Sequence, residues 1–395
     1  MGAGRSVVNH PLRGATAVVG IGQTPMYKRG TSPDPEMKLC LRAIAEACAD
    51  AGLSTADIDG FVSYGADKND PPKLAPALGV RELRFSALNW THGGGIPGAL
   101  GLAAAAIVTG QAEVVVVYRA IAESAGQRLR VAVAQDDTAA QYLVNGIDGP
   151  AQICAMRAQR LIEAGGVPRE TLRAMALASY FHAQRNPHAV AFDKPLDVAT
   201  YEASRWISEP FHLFDCSRES DAAVAVVLVS AERARDLAQP PAYLLSAPTG
   251  ATAGGAGLEE SHTPYGSANF AGVARRLWAE SGYRPEDVDV VQVYENMTGM
   301  GVAALIDHGF CTPETAGEVL TFDNLIAPGG GLPVNTSGGN LAEGFIHGMS
   351  LVTEAVRQIR GTSCNQVPGA GLSLMTGGPG DPLVSSALFA TEDRR

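Results

Sequence analysis

Residues 51–65, AGLSTADIDGFVSYG, read in parallel with residues 281–295, SGYRPEDVDVVQVYE, and this internal echo constrains the fold more than any single motif. Each copy holds a glycine suited to the left-handed residue after a helix (Gly52, Gly282), then an acidic pair (Asp57 and Asp59; Asp287 and Asp289), then a short buried strand. A second pair follows in the same order. Asn89 opens NWTHGGG ahead of a helix over 99–108, and Asn335 opens NTSGGN ahead of a helix around Leu351. Two matches in one order point to a duplicated α/β unit, against the alternative that βα units share such punctuation in general.

Runs such as 17–20, 114–118, 222–229 and 288–293 have the apolar, β-branched character of fully buried strands, and they alternate with Ala-rich helical stretches such as 37–51 and 99–108. Glycine, 45 of 395 residues, clusters in loops between these elements. With 46% hydrophobic and 18% charged residues the chain can fill a large core. The net charge of −11 argues against a nucleic-acid partner, because neutralising a phosphate backbone needs an excess of Lys and Arg. The longest apolar runs are broken by polar residues well short of the roughly 18 needed for a membrane span. The opening MGAGRSVVNHPLRG lacks an apolar signal-peptide core, and Cys40, Cys48, Cys154, Cys216, Cys311 and Cys364 form no C-x-x-C pair. The expectation is a cytoplasmic protein with neither a disulfide framework nor a metal site.

Seven segments then carry a family resemblance: AVVGIGQTP, AIAEACADAGLSTADIDG, AEVVVVYRA, DCSRESDAAVAVVLVSAERARDL, DVDVVQVYENMTGM followed by HGFCTPE, PVNTSGGNLAEGFIHGM, and GLSLMTGGPGD. In this order they resemble the thiolase superfamily, in its sterol-carrier/lipid-transfer-protein branch. The resemblance implies an α/β thiolase fold, with two duplicated halves forming a five-layered α/β/α/β/α sandwich. It places the halves at 1–238 and 239–395, with a cap and dimer-loop region at about 119–210.

The resemblance also assigns the loops where thiolases do their chemistry. The nucleophilic cysteine position falls at Gly93, in Thr91-His92-Gly93-Gly94-Gly95; the activating histidine of the Gly-His-Pro loop becomes Phe345 in Gly344-Phe345-Ile346; and the C-terminal Cys-x-Gly loop is read at Gly369-Ala370-Gly371. With these cysteines absent, an acyl-enzyme is not expected. Tyr294-Glu295-Asn296 resembles the Tyr-Asp of thiolase-like steroid side-chain aldolases. Those enzymes cleave a β-hydroxyacyl-CoA by a retro-aldol reaction and pair with a DUF35-type protein that carries an OB-fold and often zinc. Their second tyrosine, in the Gly-Tyr loop, is Phe345 here.

A retro-aldol reaction needs a base for the β-hydroxyl proton, donors for the thioester enolate and an acid for its carbon. Tyr294 is the first candidate, and its use as a base requires nearby donors or positive charge, with His347 and His92 the nearest. His347 serves either the catalytic loop or only the turn before Met349. His92 precedes a helix start suited to an oxyanion, or is a bonded loop residue. Glu295 orients Tyr294, acts as a second base, or pairs with an arginine. Gly93 and Gly94 let a thioester approach the backbone, while Asn296, Asn335, Gly339, Asn340 and Phe345 complete the candidate substrate-binding set. Cys216 and Cys311 read as structural. Arg275-Arg276 and Arg128 with Arg130 meet a CoA phosphate or simply face solvent.

The first reading is therefore an aldolase without resident cofactor, a CoA thioester being its substrate, acting as a homodimer with a DUF35-type partner. An acyltransferase or Claisen-type component is the second, and a non-catalytic lipid- or acyl-CoA-binding protein the third.

Overall fold

The computed structural model describes residues 10–65, 67–91, 93–122, 137–251 and 266–395. Its first half contributes strands β1 (Thr16–Gln23), β2 (Gly60–Tyr64), β3 (Phe85–Asn89), β4 (Val115–Ile121) and β5 (Ser220–Ser230). The second contributes β6 (Ala242–Ser246), β7 (Val290–Gln292), β8 (Leu372–Gly377) and β9 (Val384–Ala390). Hydrogen bonding runs in the order β7-β8-β9-β6-β1-β5-β4-β2-β3. The first half is thus β1-β5-β4-β2-β3, with antiparallel, antiparallel, parallel and parallel contacts. In the second, β6-β9-β8-β7 repeats the same senses and ends on a parallel bridge from Val291 to Val334. One shared topology in both halves is what duplication produces and what generic βα punctuation does not. The halves join through the antiparallel pair β1–β6.

The acidic residues of the echo perform the same tasks twice. Asp57 and Asp287 each accept from a backbone N–H three residues earlier, that of Ser54 and Arg284, closing equivalent 3-10 turns. Asp59 accepts from the N–H groups of Glu113 and Val114 at the start of β4, and Asp289 from those of Gly371 and Leu372 at the start of β8. Gly52 and Gly282 end helices α1 (Glu36–Ala51) and α5 (Ala271–Ser281) at φ 73° and 74°, a region where a side chain is strained.

The helix α2 (Gly95–Val108), GIPGALGLAAAAIV, is apolar all round because sheet covers it on both sides: β2, β3 and β4 of one half, β8 and β9 of the other. Helix α7 (Met349–Arg360) lies in the same layer, against β7, β8, β1 and β5. With α1 outside one half and α5 outside the other, the layers run α/β/α/β/α. Helices α3 (Pro150–Gly165), α4 (Glu170–Ala183) and α6 (Thr298–Asp307) pack together over the second half in one apolar cluster. No helix among the described residues is long and apolar enough to cross a membrane.

Strand 288–293 is shorter than the sequence implies, 290–292, because the Val293 N–H turns to the Asn335 side chain (2.7 Å). Behind α7 lies a buried polar network. Glu343 accepts from Gln23 Nε2 (2.9 Å) and Ser337 Oγ (2.5 Å), and burial pushes its carboxyl up to about 7. A carboxyl with a raised native value favours folding when protonated, so stability is highest below its ordinary range and falls as pH rises through 7. At about 1.4 kcal/mol per pH unit over the interval, Glu343 removes roughly 3 kcal/mol between pH 4.5 and pH 7. Glu343→Gln is expected to flatten that loss, seen as a smaller difference between melting temperatures at pH 5 and pH 7.5.

Candidate active site

The turn that starts α2 is built around missing side chains. A Cβ on Gly93 would stand 2.5 Å from Tyr294 Oη, and one on Gly94 would stand 2.5 Å from the Leu383 carbonyl. The space that a residue-93 nucleophile would occupy is filled by the Tyr294 hydroxyl. Tyr294 leaves the end of β7 with its N–H donated to Thr376 Oγ1 (3.0 Å). Its ring lies on Gly348, where a Cβ would come within 2.7 Å of Cδ2, and meets the edge of Phe345 at 6.0 Å.

Burial pushes the Tyr294 phenol well above its ordinary value, and negative charge at Asp381 adds to the effect. The donors or positive charge that its use as a base would require are not what dominates here. A phenol so raised holds its proton and can donate a hydrogen bond. The C-terminal glycine loop also lies elsewhere than expected. Gly371 immediately precedes β8, and about 20 Å of strand separates it from the site. Thr376, Gly377 and Gly378 at the other end of β8 are the residues that reach the turn, with a Cβ on Gly378 falling 2.0 Å from the Gly94 nitrogen. Asp381 in this loop accepts from the Gly94 N–H (3.0 Å), and burial raises its carboxyl to about 7. The Gly94 N–H is thereby occupied, and its carbonyl takes the Ser385 hydroxyl, so Gly94 shapes the turn without offering its backbone to a thioester.

His347 stands at φ 47°, an unfavourable conformation for a residue with a side chain, and its ring faces Tyr64 at 5.0 Å and Phe345 at 4.8 Å. Its Nδ1 shares a 3.0 Å hydrogen bond with Tyr64 Oη and receives Arg119 Nε at 3.4 Å. Arg119 can only donate, so Nδ1 is an acceptor and the Tyr64 hydroxyl donates to it. Arg119, at the end of β4, is itself held by Asp67 at 3.0 Å, both side chains being almost wholly buried. His347 thus engages Tyr64 rather than Tyr294.

The remaining candidates divide. Glu295 points away from its neighbour Tyr294, under the loop at Gly339, where a Cβ would meet its Oε1 at 2.0 Å. Its Oε1 receives the Leu341 N–H at 3.4 Å, Oε2 has no partner, and burial pushes the carboxyl well above the ordinary range. It braces the loop, and among the described residues no arginine pairs with it. Asn296 spends its side chain on the Met297 N–H (2.9 Å) and the Cys154 thiol (3.7 Å), closing a turn. Asn335, at φ 53°, ties the loop to β7 through Val293. Asn340 is fully buried with neither side-chain polar atom bonded. Burial raises the thiols of Cys311 and Cys216 to about 11 and about 12, as inert structural cysteines require. Arg275 is exposed and Arg276 donates to the Thr249 carbonyl (2.7 Å). His92, Arg128 and Arg130 lie outside the described residues.

The C-terminal portion, residues 257–388, matches the Thiolase C-terminal domain-like family. The whole chain is 38% identical over 381 residues to a 17-hydroxy-3-oxo-4-pregnene-20-carboxyl-CoA lyase of Mycobacterium tuberculosis, covering 94% of this chain and 98% of that one. It is also 38% identical to a steroid side-chain-cleaving aldolase of Thermomonospora curvata, covering 97% and 99% of the two chains. The chain belongs to the thiolase-fold steroid side-chain aldolases. The solved Ltp2-ChsH2(DUF35) aldolase superposes on it with a TM-score of 0.89 at 36% identity, covering 97% of this chain and 99% of that one.

Within this aldolase the sequence reading missed Tyr64, Asp67, Arg119, Thr376 and Asp381. A signal for Tyr64 was available: in the echo of 51–65 with 281–295, Tyr64 falls opposite Tyr294. Arg119 and Asp381 had none, since nothing local marks a strand-end arginine or a loop aspartate as facing a turn far away in the chain.

Proposed function

We propose that this chain cleaves the bond between the α and β carbons of a β-hydroxyacyl-CoA with a bulky, steroidal acyl group. The observation that carries this reading is the Tyr294 hydroxyl standing in the space of a residue-93 side chain, which replaces a covalent nucleophile by a buried acid. Loss of the β-hydroxyl proton lets the Cα–Cβ electrons move into the thioester as an enolate, leaving a ketone on the former β carbon. Tyr294 then donates to the enolate, and its held proton makes it competent for that task at neutral pH. Gly93 gives the thioester close access to the Tyr294 hydroxyl. The buried, unbonded Asn340 amide is the second donor, for the acyl oxygen.

Its partners in this proposal are a second copy of the chain and a DUF35-type protein with an OB-fold and zinc. Support for the second is the likeness to the Ltp2-ChsH2(DUF35) aldolase. Support for the first is β3, the edge of the sheet among the described residues, where Leu88 in the strand and Trp90 just after it are 49% and 84% exposed. Trp90→Glu is expected to convert a dimer to a monomer in analytical ultracentrifugation. The compartment proposed is the cytoplasm.

The test is mass spectrometry after incubating the protein, alone and with its DUF35-type partner, with the CoA thioester of a 17-hydroxy-20-carboxyl steroid. Cleavage yields a 17-ketosteroid and propionyl-CoA. Intact thioester in every tube, with acyl transfer once an acceptor is supplied, would replace the lyase by the transferase.

A further inference from the structure

The residue that caps helix α2 is Gly94, which has no side chain to bond the helix's first N–H groups. Its neighbours Gly93 and Gly95 are no better equipped, and three consecutive glycines are the loosest stretch a chain can place at a reacting centre. The partners of this turn come instead from the second half. Asp381 Oδ2 accepts the Gly94 N–H at 3.0 Å, Ser385 Oγ accepts the Gly98 N–H at 3.0 Å and donates to the Gly94 carbonyl, and Thr91 Oγ1 donates to the Leu383 carbonyl at 3.4 Å.

Asp381 is set in a braced loop. Its own N–H returns to the Gly378 carbonyl at 3.0 Å, the Gly380 N–H reaches the Ala268 carbonyl at 3.0 Å, and Asn269 Nδ2 donates to the Asp381 carbonyl at 2.9 Å. Asn269 makes that bond from φ 72°, a region few side chains tolerate. The turn held in this way faces Tyr294. A Cβ on Gly93 would lie 2.5 Å from Tyr294 Oη, so the halves meet there without slack, one bringing the glycine and the other the hydroxyl. Asp381 belongs to the same half as Tyr294 and takes hold of the residue next to Gly93.

We propose that Asp381 is the positioning residue of this site: by holding the Gly94 N–H it fixes the Gly93 turn of the first half against the Tyr294 hydroxyl of the second. The proposal rests on the retro-aldol reading, in which the thioester reaches that hydroxyl across Gly93. Asp381 transfers no proton to or from the substrate; it acts through Gly94. A negative charge at a helix start is favoured by the helix dipole, but the proposal needs only the acceptor oxygen. Asparagine keeps that oxygen and drops the charge, which makes the two effects separable.

The test is steady-state cleavage of the 17-hydroxy-20-carboxyl-CoA steroid by the full protein with its DUF35-type partner, with kcat and KM measured separately. Asp381→Ala is expected to lower kcat by roughly 100-fold with KM within about 3-fold of wild type, the effect of displacing a reacting group by about 1 Å. Asp381→Asn is expected to bring kcat back to within about 5-fold of wild type, because the Gly94 N–H keeps its acceptor. Asn269→Gly tolerates the positive φ, leaves the carboxyl in place and releases the loop carbonyl; it is expected to lower kcat by roughly 10-fold with KM unchanged, and serves if Asp381→Ala does not fold.

Equal loss of kcat in Asp381→Asn and Asp381→Ala would assign the effect to the charge and overturn the proposal. So would wild-type kcat in Asp381→Ala, or in Asn269→Gly where Asp381→Ala does not fold. A loss carried by KM with kcat unchanged would overturn it as well, making Asp381 part of substrate binding. If wild-type protein with its partner cleaves nothing, the retro-aldol reading fails, and this inference fails with it. If wild type cleaves and the asparagine rescue is absent, only the inference fails.

Discussion

Tyr294→Phe lowers kcat/KM for thioester cleavage by roughly 10²–10⁴-fold, the range for removing a positioned proton donor, with the melting temperature close to that of wild type. The ring makes the packing contacts, against Gly348 and Phe345, and Phe keeps the ring. What is lost is one hydroxyl, in the space beside Gly93. Burial, with Asp381 adding to it, pushes the phenol above its ordinary value, so in the proposed reading the loss falls on a proton donor, and raising the pH to 8.5 is not expected to restore activity. A variant with wild-type kcat/KM would show that Tyr294 fills space and no more.

Gly93→Ala is expected to be almost as damaging without touching a polar group. A methyl there lies 2.5 Å from Tyr294 Oη and 3.0 Å from Cζ, distances that real contacts do not reach. The ring has no room to retreat, since Gly348 already lies under it with space for no Cβ. The hydroxyl or the turn must move, at a cost of about 1–3 kcal/mol in stability and, for a misplaced catalytic group, roughly 100-fold in kcat. Gly93→Cys shares this fate and does not convert the site to a thiolase. Residue 345, where an activating histidine would stand, is phenylalanine, so no acyl-enzyme adduct is expected by intact-mass measurement after exposure to acyl-CoA.

The fold was readable because its main determinant is repetition. The helix-end glycines, the acidic pairs and the Gly-rich turns are local signals that occur twice, and each has the same hydrogen-bonding task in both places. The site was readable only in part. Tyr294, Gly93 and Phe345 sit in recognisable segments, and the structure brings them together. Glu295 and Asn296 follow Tyr294 in sequence, but the backbone turns each in a different direction, one under a loop and one onto its own turn, so adjacency misled. The glycine loop was sought at Gly369, the near end of β8, whereas the strand delivers Thr376 and Asp381 from its far end. Arg119 reaches His347 across 228 positions of sequence, a distance over which no spacing rule operates.

The shared strand order of the two halves has one more consequence. Two copies of one unit related by a two-fold axis present the same group twice to their common centre, in identical surroundings. Joining the copies in a single chain removes that symmetry. One tyrosine now lies against Gly93 and Gly348, with the charge of Asp381 near it; the other donates to His347 beneath the Arg119 guanidinium. The centre of this molecule carries a broken symmetry, written in the groups that each half gathered around the same residue.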